Sequence, residues 1–221
     1  MQKSVQNTLV AAAVAAALGF AGTAAAEATV YGKIHVSAGS LSSQESLPAT
    51  DKTSATTIAS HASRLGFKAS KKLDNGMAVV GQLEYEIDTV GDKTKTSTDD
   101  LFKARNTYVG LKGGFGEVRV GIHDTPHKLS TAKLDPLADT YADYNNVVIT
   151  DARASNVIAY LNKFGDLSVA LAYSAGEEKT TTDKNKKSVT SAMLAYEAGP
   201  LYLTAAVENY ADKTAGQTEA S

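Results

Sequence analysis

From residue 27 onward the chain repeats with a period of two, the spacing that sends successive side chains to opposite faces of a β-strand. Between Met77 and Asp88 the odd positions are Met77, Val79, Gly81, Leu83, Tyr85 and Ile87, while the even positions Ala78, Val80, Gln82, Glu84, Glu86 and Asp88 become steadily more acidic. Val30–Ala38 sets Val30, Ile34 and Val36 against Tyr31, Lys33, His35 and Ser37, and Arg64–Ser70 sets Leu65, Phe67 and Ala69 against Arg64, Gly66, Lys68 and Ser70. In Glu117–His123 the apolar side is Val118, Val120 and Ile122, facing Arg119, Gly121 and His123. Leu167–Tyr173 and Leu201–Val207 follow the same format. Three further segments, about 101–112, 155–164 and 188–198, have strand composition without a clean alternation, so their faces stay unassigned. The expectation is nine strands. The best of them runs for about 10–12 residues, against the ~5–6 of an ordinary globular strand, which points to a sheet that crosses a membrane.

The connections alternate in length. Asp74-Asn75-Gly76, Gly113-Gly114-Phe115-Gly116, Gly165-Asp166 and Gly199-Pro200 are tight turns, and Asn-Gly takes the positive φ angles that such turns need. Between them lie long polar stretches at about 40–60, 91–100, 124–153 and 177–187. Short turns at one end and long loops at the other are the layout of an antiparallel transmembrane β-barrel. A soluble periplasmic β-sandwich has no reason to alternate so regularly, and it remains the alternative fold.

Residues 1–26 differ from the rest. Lys3 is their one charge, an Ala-rich apolar stretch runs from Leu9 to Phe20, and Ala24-Ala25-Ala26 closes the segment, as in a secretory signal peptide. The apolar stretch is short for the ~20 residues of a membrane-crossing helix. The expected organisation is therefore a signal peptide at 1–26 and one β-barrel domain at 27–221, exported through the periplasm to the cell outer membrane.

Beyond residue 26 there are 21 basic and 24 acidic residues, a balance too even for a nucleic-acid partner. No cysteine is present, which excludes disulfides and thiolate metal sites. His123 and His127 are four apart but fall at a strand-to-loop junction, so no metal is expected. Glu84 and Glu86 share a strand face, and solvation in a lumen accounts for both without glycosidase chemistry. The glycines at 113–116 lack dinucleotide-loop spacing, and no Gly-x-Ser-x-Gly elbow occurs. No cofactor and no catalytic residue are expected, and nothing points to an enzyme.

Several of these stretches resemble the general diffusion porins of Gram-negative bacteria, the 16-stranded trimeric type. They are Val30-Tyr31-Gly32-Lys33-Ile34; Ser63-Arg64-Leu65-Gly66-Phe67-Lys68 with Leu73-Asp74-Asn75-Gly76-Met77-Ala78 and Gln82-Leu83-Glu84; and, most specific, Arg105 with Tyr108–Gly113, Phe115–Gly121 and Asp124-Thr125-Pro126. The resemblance covers most of residues 27–211. It departs at Ile122, where the family commonly carries Arg, and at Lys71 and Lys72, where acids often precede the turn. Nine strands where the family has 16, and an end at Ser221 without the family's terminal aromatic, lead us to expect a fragment of a longer chain.

The resemblance implies a water-filled channel for passive diffusion of ions and small hydrophilic solutes, built as a homotrimer among outer-membrane lipids. It also implies that the third long loop folds into the lumen. Acids on that loop (Asp124, Asp135, Asp139 and Asp143) would then face cations on the wall (Arg64, Lys68, Arg119 and, by resemblance, Arg105), setting a transverse field across the constriction. The bland alternative for each charge is simple solvation in the lumen. The competing functions are a structural or adhesive outer-membrane barrel without channel activity and, more remotely, a barrel-embedded hydrolase.

Overall fold

The computed structural model describes residues 27–42, 54–91, 102–144, 153–175 and 186–213. The expected signal peptide, the tips of most long loops and residues 214–221 lie outside them.

The described residues form an antiparallel sheet. Its strands are β1 (Glu27–Lys33), β4 (Arg64–Lys72), β5 (Ala78–Ile87), β7 (Thr107–Gly113), β8 (Gly116–Asp124), β9 (Arg153–Phe164), β10 (Leu167–Ser174), β11 (Lys186–Ala198) and β12 (Leu201–Lys213). They stand side by side in that order, and they correspond one to one with the nine expected strands. β6 (Phe102–Ala104) pairs with β5 above β7, and β2 (Val36–Ser42) pairs with β3 (Ser54–Ser60) above the β1–β4 pair.

The expected loop at 40–60 therefore needs correction, because its ends are strand. The β1–β4 hairpin continues upward as β2–β3, and the polar Ser/Thr composition of 54–60 conceals that. Likewise β11 begins at Lys186, inside the expected loop at 177–187, and β12 runs on to Lys213, past the expected Leu201–Val207.

What separates the lower and upper pieces is a set of β-bulges. Lys33 pairs with Arg64 but Val36 pairs with Ser60, so the register slips by one residue at 61–63. Ala62 there takes φ 47°, and the Ser63 hydroxyl fills the gap by accepting from the His35 N–H at 3.0 Å. A second slip separates Gln82↔Tyr108 from Tyr85↔Ala104, and a third lies between Gly121 and His123 opposite Asn156, which has φ 53°. An extra residue flips the facing of everything beyond it. Two of the bulges fall in 101–112 and 155–164, which is why those segments showed no clean period.

Val30, Leu65, Phe67, Val109, Val120, Ile158, Leu171, Leu194, Leu203 and Val207 are all exposed on the outer face, forming an apolar band. A soluble sheet would bury that face; a barrel presents it to lipid. The inner face is polar on β1, β4, β5, β7 and β8. On β9 to β11 it turns small and apolar (Val157, Ala159, Ala170, Met193 and Ala195 are buried) because the loop after β8 packs against it. That covering accounts for the missing alternation in 188–198, since β11 is apolar on both faces from Ala192 to Tyr196.

The sheet is tightest where Tyr31 lies across Gly66, its cross-strand partner. A Cβ on Gly66 would stand 2.2 Å from the Tyr31 ring. Gly66→Val should therefore displace Tyr31 and destabilise the folded barrel by about 1–3 kcal/mol, the usual cost of overpacking. A lowered denaturant midpoint checks this; an unchanged midpoint would show that the ring is free to move.

Candidate functional site

β8 ends at Asp124, and the chain turns back along the inner face. Thr125 caps a short helix, α1 (Pro126–Thr131), its hydroxyl accepting from the Lys128 N–H, and Pro126 occupies the first turn where no N–H is needed. Leu129 enters the cluster of Ala170, Met193 and Ala195. The His127 N–H donates to the Ser191 hydroxyl at 3.0 Å, and the Tyr202 hydroxyl donates to the Ser130 carbonyl at 3.0 Å. Lys133 pairs with Glu197 and lies 5.4 Å from the centre of the Tyr202 ring. The first half of the loop is thus fastened to β11 and β12.

The second half reaches β1 and β4, at the other end of the strand order. One oxygen of Asp139 lies 3.1 Å from the Lys33 ammonium and 3.3 Å from the Arg64 guanidinium. Tyr141 meets the edge of the His61 ring at 4.7 Å between ring centres. Asp139 sits at φ 60°, a conformation that Asp tolerates better than most residues, and its N–H donates to Asp143 at 2.6 Å. Burial pushes the Asp139 carboxyl up, but the Lys33 hydrogen bond and the charges of Arg64 and Lys33 outweigh it, and the group titrates below its ordinary range.

The wall beside this contact is a web of paired charges. Arg105 donates to Glu84 at 2.9 Å and to Glu86 at 3.1 Å, and the Tyr31 hydroxyl donates to Glu84 at 2.8 Å. Glu84 is only 7% exposed, so the expectation that simple solvation explains these acids is corrected: Arg105 and Tyr31 hold them. Arg119 donates to Glu117 at 2.6 Å and lies over the Tyr108 ring at 4.4 Å. His123 Nδ1 is 2.6 Å from the Asp124 carbonyl, which can only accept, so Nδ1 carries the proton and Nε2 accepts from Arg119 at 2.7 Å. Lys68 lies over the Tyr31 ring at 4.7 Å.

Of the four loop acids singled out in the sequence, Asp139 is the one brought to the wall cations. Asp124 is buried at the root of the loop, paired with Arg153 at 2.8 Å and Lys128 at 3.3 Å and accepting from the Asn106 amide at 2.8 Å. Asp135 accepts from the N–H groups of Leu137 and Tyr144, and Asp143 holds the Asp139 N–H, so both shape the loop's own turns. Of the four wall cations, Arg64 meets the loop, whereas Arg105 and Arg119 are bound to wall acids and Lys68 to an aromatic ring. Sequence reasoning passed over Lys33, Arg153, Glu117 and Tyr31. Lys33 and Tyr31 stood on the polar face of a recognised strand, so alternation alone could have nominated them. Arg153 lay at the edge of an expected loop and carried no signal.

Comparison with known proteins accords with this geometry. The family model described as Gram-negative porin matches residues 11–221. The major outer membrane protein P.IB of Neisseria meningitidis serogroup B is 31% identical over 159 residues, covering 70% of this chain and 46% of that protein. The chain thus spans about half the length of the curated relatives it matches. Among solved structures, the anion-selective porin from Comamonas acidovorans aligns with TM-score 0.65 at 24% identity, over 83% of this chain and 57% of that one. The trimer form of OmpT, an outer membrane protein of Vibrio cholerae, aligns with TM-score 0.55 at 18% identity, over 83% of this chain and 50% of that one. An all-antiparallel sheet, an apolar outer band, a loop folded back along the inner face and a family match over nearly the whole sequence together place this chain in the Gram-negative porin family of outer-membrane β-barrels.

Proposed function

We propose that the full protein is a water-filled channel for passive diffusion of ions and small hydrophilic solutes, assembled as a homotrimer, with the loop after β8 as its constriction. The observation that carries this reading is the loop's double attachment. It is fastened to β11 and β12 at one end and to Lys33 and Arg64 at the other, so it stands across the space that the sheet encloses. A loop lying outside the sheet could not reach the inner faces of strands at both ends of the strand order. The trimer draws on the trimeric relative and on the exposed apolar outer band. The reading assigns no covalent chemistry to the chain.

Within the constriction, Lys33, Arg64, Arg105 and Arg119 face Glu84, Glu86, Glu117 and Asp139. Four cations offset four acids, so the ring is dipolar rather than charged. It orients polar solutes across the field, and water ordered there resists displacement by apolar ones.

Planar-bilayer recording of the full-length protein should give discrete ion steps; a folded protein without steps would favour a structural or adhesive barrel. Replacing Arg64 and Arg119 by Gln leaves Asp139 and Glu117 less compensated. The reversal potential in a salt gradient should then move towards cation preference, and an unchanged potential would remove both residues from the constriction.

Acid should loosen the loop. A carboxyl whose folded pKa is lowered supports docking fully above its ordinary value of 3.8, and that support fades as pH falls through the lower folded value. Conductance and selectivity should therefore hold from neutral pH to about 5 and change only below about 4. Asp139→Asn should show the acid behaviour at neutral pH.

A further inference from the structure

A second set of cations lies nearer the short turns and takes no part in the paired web. Lys72 on β4, Ala78 on β5 and Lys112 on β7 stand in one cross-strand row. Gln82 shares a face with Ala78, pairs with Lys68 and Tyr108, and leads to Glu84, so the two lysines point to the lumen side. Two strand spacings separate them, about 10 Å. Between them is only the methyl group of Ala78, so both ammonium groups can lean over it towards one bound group. An open cavity of about 300 Å³ lies at these strand ends, with a mostly apolar wall that includes Leu73, Met77 and Ala78 and with the two lysines at its border. Gly76 on its rim faces open space.

Both lysines are exposed, and among the described residues neither has a carboxylate partner. The lumen acid opposite Lys112 is Glu117, which Arg119 already holds at 2.6 Å. Asp74 lies on the turn itself, and Lys71 faces the other way from Lys72 by strand alternation. The constriction's charges balance, and nearer the turns the lumen face of β1, β4, β5 and β7 carries Lys68, Lys72 and Lys112 against Glu27, which lies opposite Ser70 on β1, so the excess charge there is positive.

We infer that Lys72 and Lys112 form a station for a small oxyanion, a phosphate or carboxylate group, at the turn end of the lumen, and that the station biases the channel towards anions. The inference rests on the channel reading for its consequence and on the lysine row for its chemistry. Two convergent ammonium groups suit an oxyanion, because each supplies charge and up to three N–H donors.

Two readouts separate the two parts. The first uses inorganic phosphate with the full-length protein folded in a maltoside detergent, following the line width of the phosphorus NMR signal as protein is added. Wild type should broaden the line. K72Q/K112Q, substituted at exposed positions that leave the sheet intact, should bind about fivefold more weakly, the size that two exposed charge contacts carry. R64Q, which leaves Arg119 on Glu117, should behave as wild type. Equal broadening by K72Q/K112Q and wild type, or a loss confined to R64Q, would overturn the station.

The second readout is the reversal potential in a bilayer. It should move towards cations in K72Q/K112Q, and added phosphate should reduce the wild-type chloride current more than the variant's. An unchanged potential overturns the anion bias. Absence of ion steps with the phosphate line response intact would instead sink the channel reading and leave the station standing.

Discussion

In hydrocarbon no water is available to an unpaired N–H or C=O, and each such group costs several kcal/mol. A chain that crosses a membrane as strands therefore has little freedom in its ladder. It can end a strand in a turn, or it can insert a bulge where the neighbouring backbone still finds partners. Here the bulges at 61–63, at 105–107 and opposite Gly121–His123 occur on three separate strand pairs. Arg64 follows the first, Arg105 lies in the second and His123 borders the third. The ladder holds the sheet rigid, and the permitted defects aim its functional side chains.

That same device divides what could be read in the sequence from what could not. Strands β5, β8, β10 and β12 alternate without interruption over their clearest stretch, and both faces of each were legible. The tight turns were legible too, because Asn75-Gly76 and its counterparts carry their conformation in their residue types. The faces of 101–112 and 155–164 were not, since one inserted residue reverses the parity partway along. The face of 188–198 failed for another reason: α1 covers the inner side, so Met193 and Ala195 are as apolar as Leu194 and Tyr196 outside. For the site, residue type named the right charges on the wall but not their partners. Asp124, Asp135 and Asp143 looked equivalent to Asp139 in sequence. Their separate duties depend on loop turns and on a distant Arg153, which no local pattern encodes.

The placement of the loop follows from comparing magnitudes. The Asp139 contacts with Lys33 and Arg64 are partly wet, and exposed pairs of this kind contribute about 0.2–1 kcal/mol each. Alone they would not hold some twenty residues against their conformational entropy. The apolar seat of Leu129, partly buried against Ala170, Met193 and Ala195, contributes up to about 1.5–3 kcal/mol, the range for a leucine side chain fully removed from water. The buried Asp124–Arg153 pair adds a constraint of a different kind. Removing Asp124 strands the Arg153 charge, which costs about 3–5 kcal/mol. Packing and the root clamp hold the loop, and Asp139 decides where its far end comes to rest.

Burial and charge are arranged differently at the two levels of the lumen. At the level of Asp139 the groups are partly buried, and an unpaired cation there would lack the water that stabilises it; pairing every charge removes that cost. The charges remain as a dipolar ring, which in the proposed channel would act on solutes by orientation. At the level of Lys72 and Lys112 the side chains are exposed, so a lone ammonium is well hydrated and costs little. Net charge can therefore stand where water is plentiful and is cancelled where it is scarce. Solute charge would then be sensed in the wide part of the path and solute polarity in the narrow part, with each discrimination made where its electrostatic cost is lowest.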